Sequence, residues 1–298
     1  MVKRVRNDTA QLWRVHHPSM LEALQRELAT KSSRMILYLQ GARMNALLRD
    51  TTTVEPTDGS RLVFVPHAAY EHLVKRLVGP TDAELERVGV YLAERSSDRL
   101  LREVEKRASE LIDRCLAVVP APDGSETSAK LAVRLSQLDG GALLDAGRRA
   151  IVEQALREAM GWWGWTGFLD VDGIDDAVPE VLDAIMRNEI EKGFPSTRKV
   201  YDWHSDDLST TSQIDAGQEE LRNHSDRLKR AMVTKRLAGD ANKIDAAVAD
   251  FTNRLEDERA DAERREALRE DRGHDEWKES RLEERYEAEQ GRFSDVDE

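Results

Sequence analysis

Between Pro80 and Pro120 the apolar residues fall into stripes that only a helix can align. Leu101, Val104, Ala108, Leu111, Cys115 and Val118 alternate steps of three and four, the spacing of a seam packed lengthwise on other helices. Leu85, Val88 and Leu92 mark another stripe ahead of it. Thr81 with Glu84 three residues on predicts a capping box at the start. Pro120 and Pro122 end the pattern, because proline has no N–H to give and clashes with the preceding turn. Unbroken, this helix would hold about 37 residues and span roughly 55 Å at 1.5 Å per residue. Ser96-Ser97 is the one place where it is expected to bend or stop.

The flanking segments read the same way. Ser19 with Glu22 predicts a capped helix carrying Met20, Leu21, Leu24 and Leu28, and a second helix is expected over 34–49. Thr51-Thr52-Thr53-Val54 and Arg61-Leu62-Val63-Phe64-Val65 flank Pro56-Thr57-Asp58-Gly59, which predicts a small β-hairpin over 51–65. A lone hairpin is marginal, so it must lean on the helices or pair with another subunit. Further helices are expected over 66–78, around Leu131–Leu138, over 142–160, and from Pro179 to a glycine stop at Gly193. Residues 194–211 are polar and irregular, the expected linker between a helical body, 1–193, and an arm, 212–298. In the arm Ile214, Leu221 and Leu228 recur every seven residues, and Ile244, Val248, Phe251 and Leu255 form a heptad seam. From Glu256 to Arg272 nearly every side chain is charged, the pattern of a solvated helix. The expected fold is mainly α: an elongated bundle around one long helix, one hairpin, and a charged coiled-coil arm.

Charge and cysteine usage then exclude several classes. The net charge is −13, and residues 256–298 alone hold 18 acidic and 9 basic side chains, so the tail would be repelled by phosphates. A single cysteine, Cys115, excludes an intrachain disulfide and a multi-cysteine zinc site, and its place on the seam suggests a small buried residue. No apolar run approaches the ~18 residues of a membrane span, and the basic N-terminus lacks the apolar core of a secretory signal. A cytoplasmic home, or a particle assembled there, is expected. The acidic loop 170–176 fails the calcium-loop pattern, since Gly173 comes two residues early and position twelve is Val181. There is no phosphate-binding glycine loop, no Gly-x-Ser-x-Gly and no His-Glu-x-x-His. No cofactor, metal or catalytic residue is expected on these grounds.

The most unusual stretch is Gly161-Trp162-Trp163-Gly164-Trp165-Thr166-Gly167-Phe168. Indoles among glycines either fill a core beneath a helix end or insert into a partner's pocket. Trp162, Trp163, Trp165, Phe168, Ile244, Val248, Phe251, Leu255 and Trp277 are therefore the candidate partner-interface residues. The functional expectation is a non-enzymatic structural or assembly subunit of a large homo-oligomeric complex, in its most concrete form a virus-particle component such as a head–tail connector or minor capsid protein. Two other classes stay open. One is a dimeric nucleic-acid-associated regulator using Arg222, Arg227, Lys229, Arg230, Lys235 and Arg236; the other is a metal-dependent hydrolase near His204, Asp206 and Asp207.

Overall fold

The computed structural model describes residues 2–7, 10–15, 27–28, 32–55, 62–120, 126–206, 208, 210–234 and 240–294, the side chains of 2–15, 163, 270–276, 278–279 and 283–294 excepted. The chain is mainly helical, as its periodicity requires. It divides into two compact units, Met1–Asn188 and Glu189–Glu298. The division falls a few residues ahead of the expected linker, most of which is itself a helix, Pro195–Ser205. The expected helix opened by Ser19 and the turn Pro56–Gly59 lie outside the described residues.

The first unit opens with two strands, β1 (Val2–Asn7) and β2 (Ala10–Val15), paired antiparallel with Val2 opposite Val15. Helices α1 (Ser32–Gly41) and α2 (Met44–Asp50) follow, so the helix expected over 34–49 is interrupted at Ala42 and Arg43. Strands β3 (Thr51–Thr52) and β4 (Val63–Phe64) occur where the hairpin was expected, but they pair in parallel. The hairpin expectation is corrected here, and the reason is tertiary. Val65 N donates to Thr52 O at 2.8 Å, while Thr53 N donates away from the pair, to Arg95 O at 3.0 Å. Backbone from a distant helix end thus takes the place of an antiparallel partner.

Helices α3 (Tyr70–Leu77), α4 (Asp82–Val90) and α5 (Asp98–Leu116) build the centre. The capping box forms at α4: the Glu84 carboxylate accepts from Thr81 N at 3.1 Å and from its hydroxyl at 3.0 Å. The single long strut does not form. After a π-helical turn, Tyr91–Arg95, the chain stops at Ser96-Ser97 and doubles back, so that α5 packs on α4. Ser96 Oγ donates to Leu92 O, and Ser97 Oγ accepts from Leu100 N at 3.2 Å as the N-cap of α5. Both serines thus satisfy backbone groups that a continuous helix would have paired internally.

Helix α6 (Thr127–Ser136) crosses close to α4. A Cβ on Gly89 would lie 2.3 Å from Thr127 Cγ2, so glycine is what lets the two backbones approach. Helix α7 (Ala146–Trp163) is capped by Asp145, which accepts from Arg148 N at 2.9 Å. Arg148 is buried, and each of its three guanidinium nitrogens donates a bond, to Asp113, Leu143 O and Glu105, each at 2.7 Å. Short α8 (Ile174–Ala177) leads into α9 (Pro179–Glu191), with proline in its first turn as expected. One apolar core runs through these helices, with Tyr91, Phe168, Met35, Leu92, Leu101 and Ile112 among its fully buried members.

The second unit holds α10 (Pro195–Ser205), α11 (Thr211–Thr234) and α12 (Ala241–Ser294). Its core is small: Val200, Ile214, Leu221, Leu255 and Ala262, with Tyr201, Leu208 and Phe251 packed on it. Among the described residues no helix is long and apolar enough to cross a membrane.

Candidate functional site

The tryptophan segment splits between two fates. Helix α7 ends at Gly164 (φ 64°), whose N–H returns to Met160 O at 3.0 Å. That left-handed cap turns Trp165 inward, where it is 8% exposed and its ring centroid lies 5.9 Å from that of fully buried Phe168. A Cβ on Gly167 would sit 2.4 Å from the Trp165 ring, so this glycine is the space the indole occupies. The surface of Trp165 and Phe168 is therefore already used within the chain. Trp162, in the last turn of α7, stays 61% exposed, and the Trp163 side chain lies outside the described residues.

The late seam is likewise spent at home. Ile214, Leu221 and Leu228 of α11 are buried together with Ile244 and Leu255 of α12. Val248 and Phe251 are half-buried, and Phe251 stacks on Tyr201 with centroids 4.7 Å apart and planes at 20°. Two ion pairs, Lys229–Asp245 and Arg259–Asp215, tie the helices at residue numbers with the same sum, which fixes them antiparallel. The seam thus joins α11 to α12 of the same chain, and at Ile244 and Leu255 the expected partner interface is corrected to an intrachain one. A heptad pattern states that a helix packs, not on which copy.

The pairing runs out at Glu266, whose Oε1 accepts from Thr211 N at 3.3 Å at the start of α11. Helix α12 continues to Ser294, 28 residues further, or roughly 42 Å at 1.5 Å per residue. Leu268 and Leu282 are each 59% exposed on this extension, two heptads apart. They lie more than ~100° around the helix from the buried stripe of Ile244, Leu255 and Ala262. Trp277 is 55% exposed, with the Arg281 guanidinium 5.0 Å above its ring. This extension is the candidate interaction surface.

Comparison finds no matching protein family, no matching curated protein and no matching solved structure.

The charged and catalytic-looking residues among those described make the following contacts. Across the α9–α10 turn, Glu189 Oε2 accepts from Ser196 N at 3.2 Å and from Ser196 Oγ at 2.6 Å, and Ser196 Oγ lies 3.0 Å from His224 Nε2. All three side chains are buried. The serine stands between acid and imidazole, so the carboxylate orients the hydroxyl and not the ring. With the hydroxyl proton on Glu189, Nε2–H of His224 donates to the serine. Burial lowers the His224 pKa to about 3, with Arg227 adding to the effect, and raises that of Glu189. The glutamate also caps α10, taking one of its orphan N–H groups. Nothing in the sequence marks these three residues, which are scattered over 36 positions.

His204 is half-buried. Its ring leans on Trp203 at 4.7 Å and lies over Gly217, where a Cβ would come within 3.1 Å of the histidine's own Cβ. Burial lowers its pKa, and Asp206 is exposed; Asp207 lies outside the described residues. Among the described residues no three His, Cys, Asp or Glu side chains are grouped to hold a metal. On the basic face of α11, Lys229 is paired with Asp245 and Arg227 with Glu220 at 3.3 Å, while Lys235 and Arg236 lie outside the described residues.

Proposed function

We propose that this chain is a non-enzymatic structural subunit that presents the far end of α12 to another protein subunit, in the first instance a second copy of itself. The observation that carries the reading is the run of α12 past Glu266, where α11 has ended and Leu268 and Leu282 remain exposed. Exposed leucines at two-heptad spacing are what a neighbouring helix would cover, and Trp162, 61% exposed, is an aromatic anchor of the kind that dominates such contacts. A virus-particle component, such as a head–tail connector or minor capsid protein, is the assembly in which we place such a subunit. That step rests on the helical architecture alone.

Native mass spectrometry and light scattering test the reading. The expected result is a closed multimer of the 33.8 kDa chain, reduced to monomer by combining Leu268→Glu with Leu282→Glu at unchanged helix content. A wild-type chain that stays monomeric at about 100 µM, well above the ~µM range of specific subunit contacts, would overturn self-association.

A further inference from the structure

In the first unit, three arginines surround a cavity of about 350 Å3 lined by Asn45, Leu48, Arg49, Arg87, Val90, Tyr91 and Arg95. The three are not equivalent. Arg49 is spent on its neighbour, with Nε 2.7 Å and Nη2 3.1 Å from the two carboxylate oxygens of Asp50. Arg87 reaches only a neutral amide, donating from Nη1 to Asn45 Oδ1 at 2.9 Å. Arg95 donates from Nη1 to two backbone carbonyls at the end of α2, Leu48 O at 3.1 Å and Arg49 O at 2.6 Å. Neither Arg87 nor Arg95 makes an ion pair among the described residues. Two positive charges therefore face one small space without a carboxylate to balance them, in a chain whose net charge is −13.

The backbone holds this arrangement in place. The π-helical turn Tyr91–Arg95 widens the end of α4 and carries Arg95 across to α2. Such turns are frequent at functional sites. Arg95 is thereby fixed by two bonds from one nitrogen, which leaves its other N–H groups for a ligand. The remaining wall is apolar: Leu48, Val90 and the ring of Tyr91, whose hydroxyl lies 3.3 Å from the Thr51 hydroxyl, itself donating to Leu47 O at 2.7 Å.

We propose that this cavity binds a small organic oxyanion, a phosphate monoester or carboxylate with a compact apolar body. The anionic head meets the guanidinium forks of Arg87 and Arg95, whose planar N–H pairs match the two oxygens of such a group. The apolar body rests on Leu48, Val90 and Tyr91. The volume lies within the ~300–1,000 Å3 of small-molecule sites.

Isothermal titration calorimetry on the full chain tests this with phenyl phosphate, benzoate and inorganic phosphate. Saturable binding of phenyl phosphate or benzoate is expected, the tighter of the two naming the head group, with inorganic phosphate weaker for want of the apolar wall. Arg87→Gln keeps a donor to Asn45 and is expected to weaken binding at least ~10-fold through loss of a charge-assisted bond. Asn45→Asp leaves every arginine in place but hands Arg87 a fixed carboxylate, and is expected to abolish binding. Both positions are exposed, so circular dichroism should be unchanged. No saturable heat with either organic anion, equal affinity for inorganic phosphate, or indifference to both substitutions overturns the site.

Discussion

Replacing His224 by Gln should change how the second unit responds to acid. The imidazole is 1% exposed and its pKa is lowered to about 3, against an ordinary value of 6.5. The native state therefore refuses a proton that the unfolded chain takes up below pH 6.5. Stability contributed by the neutral ring is complete above that pH and is lost as pH falls towards about 3. At 1.36 kcal/mol per pKa unit, the loss between pH 7 and pH 5 comes to about 2 kcal/mol. Glu189 works in the opposite direction: its pKa is raised above 4.5, so its contribution is present at low pH and fades as pH rises through the raised value. Comparing the two chains at each pH isolates the histidine, because Glu189 is common to both. A glutamine amide can still donate to Ser196 Oγ, so the bridge is kept. Hydrogen exchange of α11 peptides in increasing urea, at pH 7, 6 and 5, reads the stability of the helix that carries residue 224. The wild-type chain should lose about 2 kcal/mol more than His224→Gln across this range. Parallel pH slopes for the two chains would refute the argument, because the native ring would then be protonating as freely as the unfolded one.

Other consequences are equally direct. Gly167→Ala puts a methyl where the Trp165 ring lies, and should destabilise the first unit by about 1–3 kcal/mol in thermal unfolding; an unchanged transition would mean the indole has room to move. Arg148→Ala strands Glu105, Asp113 and Leu143 O, and should cost about 2 kcal/mol by urea unfolding, below the figure for a fully buried pair because both acids keep contact with water. Burial pushes the Cys115 thiol up to about 12, so iodoacetamide at pH 8 should leave the native chain unmodified by intact mass and label it once urea is added. Rapid native labelling would show that the α4–α5 seam opens.

What could be read from the sequence was local or periodic. The Thr81–Glu84 box needs only four residues, and it forms as expected. Ser96-Ser97 stood out as the weak point of the long helix, yet a break and a bend look alike until Ser97 is seen capping α5. Pairing direction was beyond reach. A Pro-x-Asp-Gly turn suggests an antiparallel return, but the carbonyl of Arg95, more than thirty residues on from the turn, takes the Thr53 amide and leaves β3 and β4 parallel. The pairing of β1 with β2 carries no period-two signal, because Val2 and Val5, like Leu12 and Val15, stand three residues apart and fall on opposite faces of a strand. The heptads of α11 marked buried positions, those of α12 did so at Ile244 and Leu255 but only in part at Val248 and Phe251, and neither said anything of the copy supplying the cover. Asn45, Arg87 and Arg95 converge only because a π-helical turn and a helix end meet, and no spacing rule encodes that meeting.

The two ion pairs of the α11–α12 hairpin have a consequence for how this protein can change over time. Lys229–Asp245 and Arg259–Asp215 sit on one common registration, so a single residue added inside either helix turns everything beyond it by about 100° and breaks the match. A residue added between the two helices leaves the spacings 215–229 and 245–259 untouched, so both pairs can stay aligned. Lineages of this chain should accordingly accept insertions at that junction while keeping the spacing from Asp215 to Lys229, and from Asp245 to Arg259, fixed at 14.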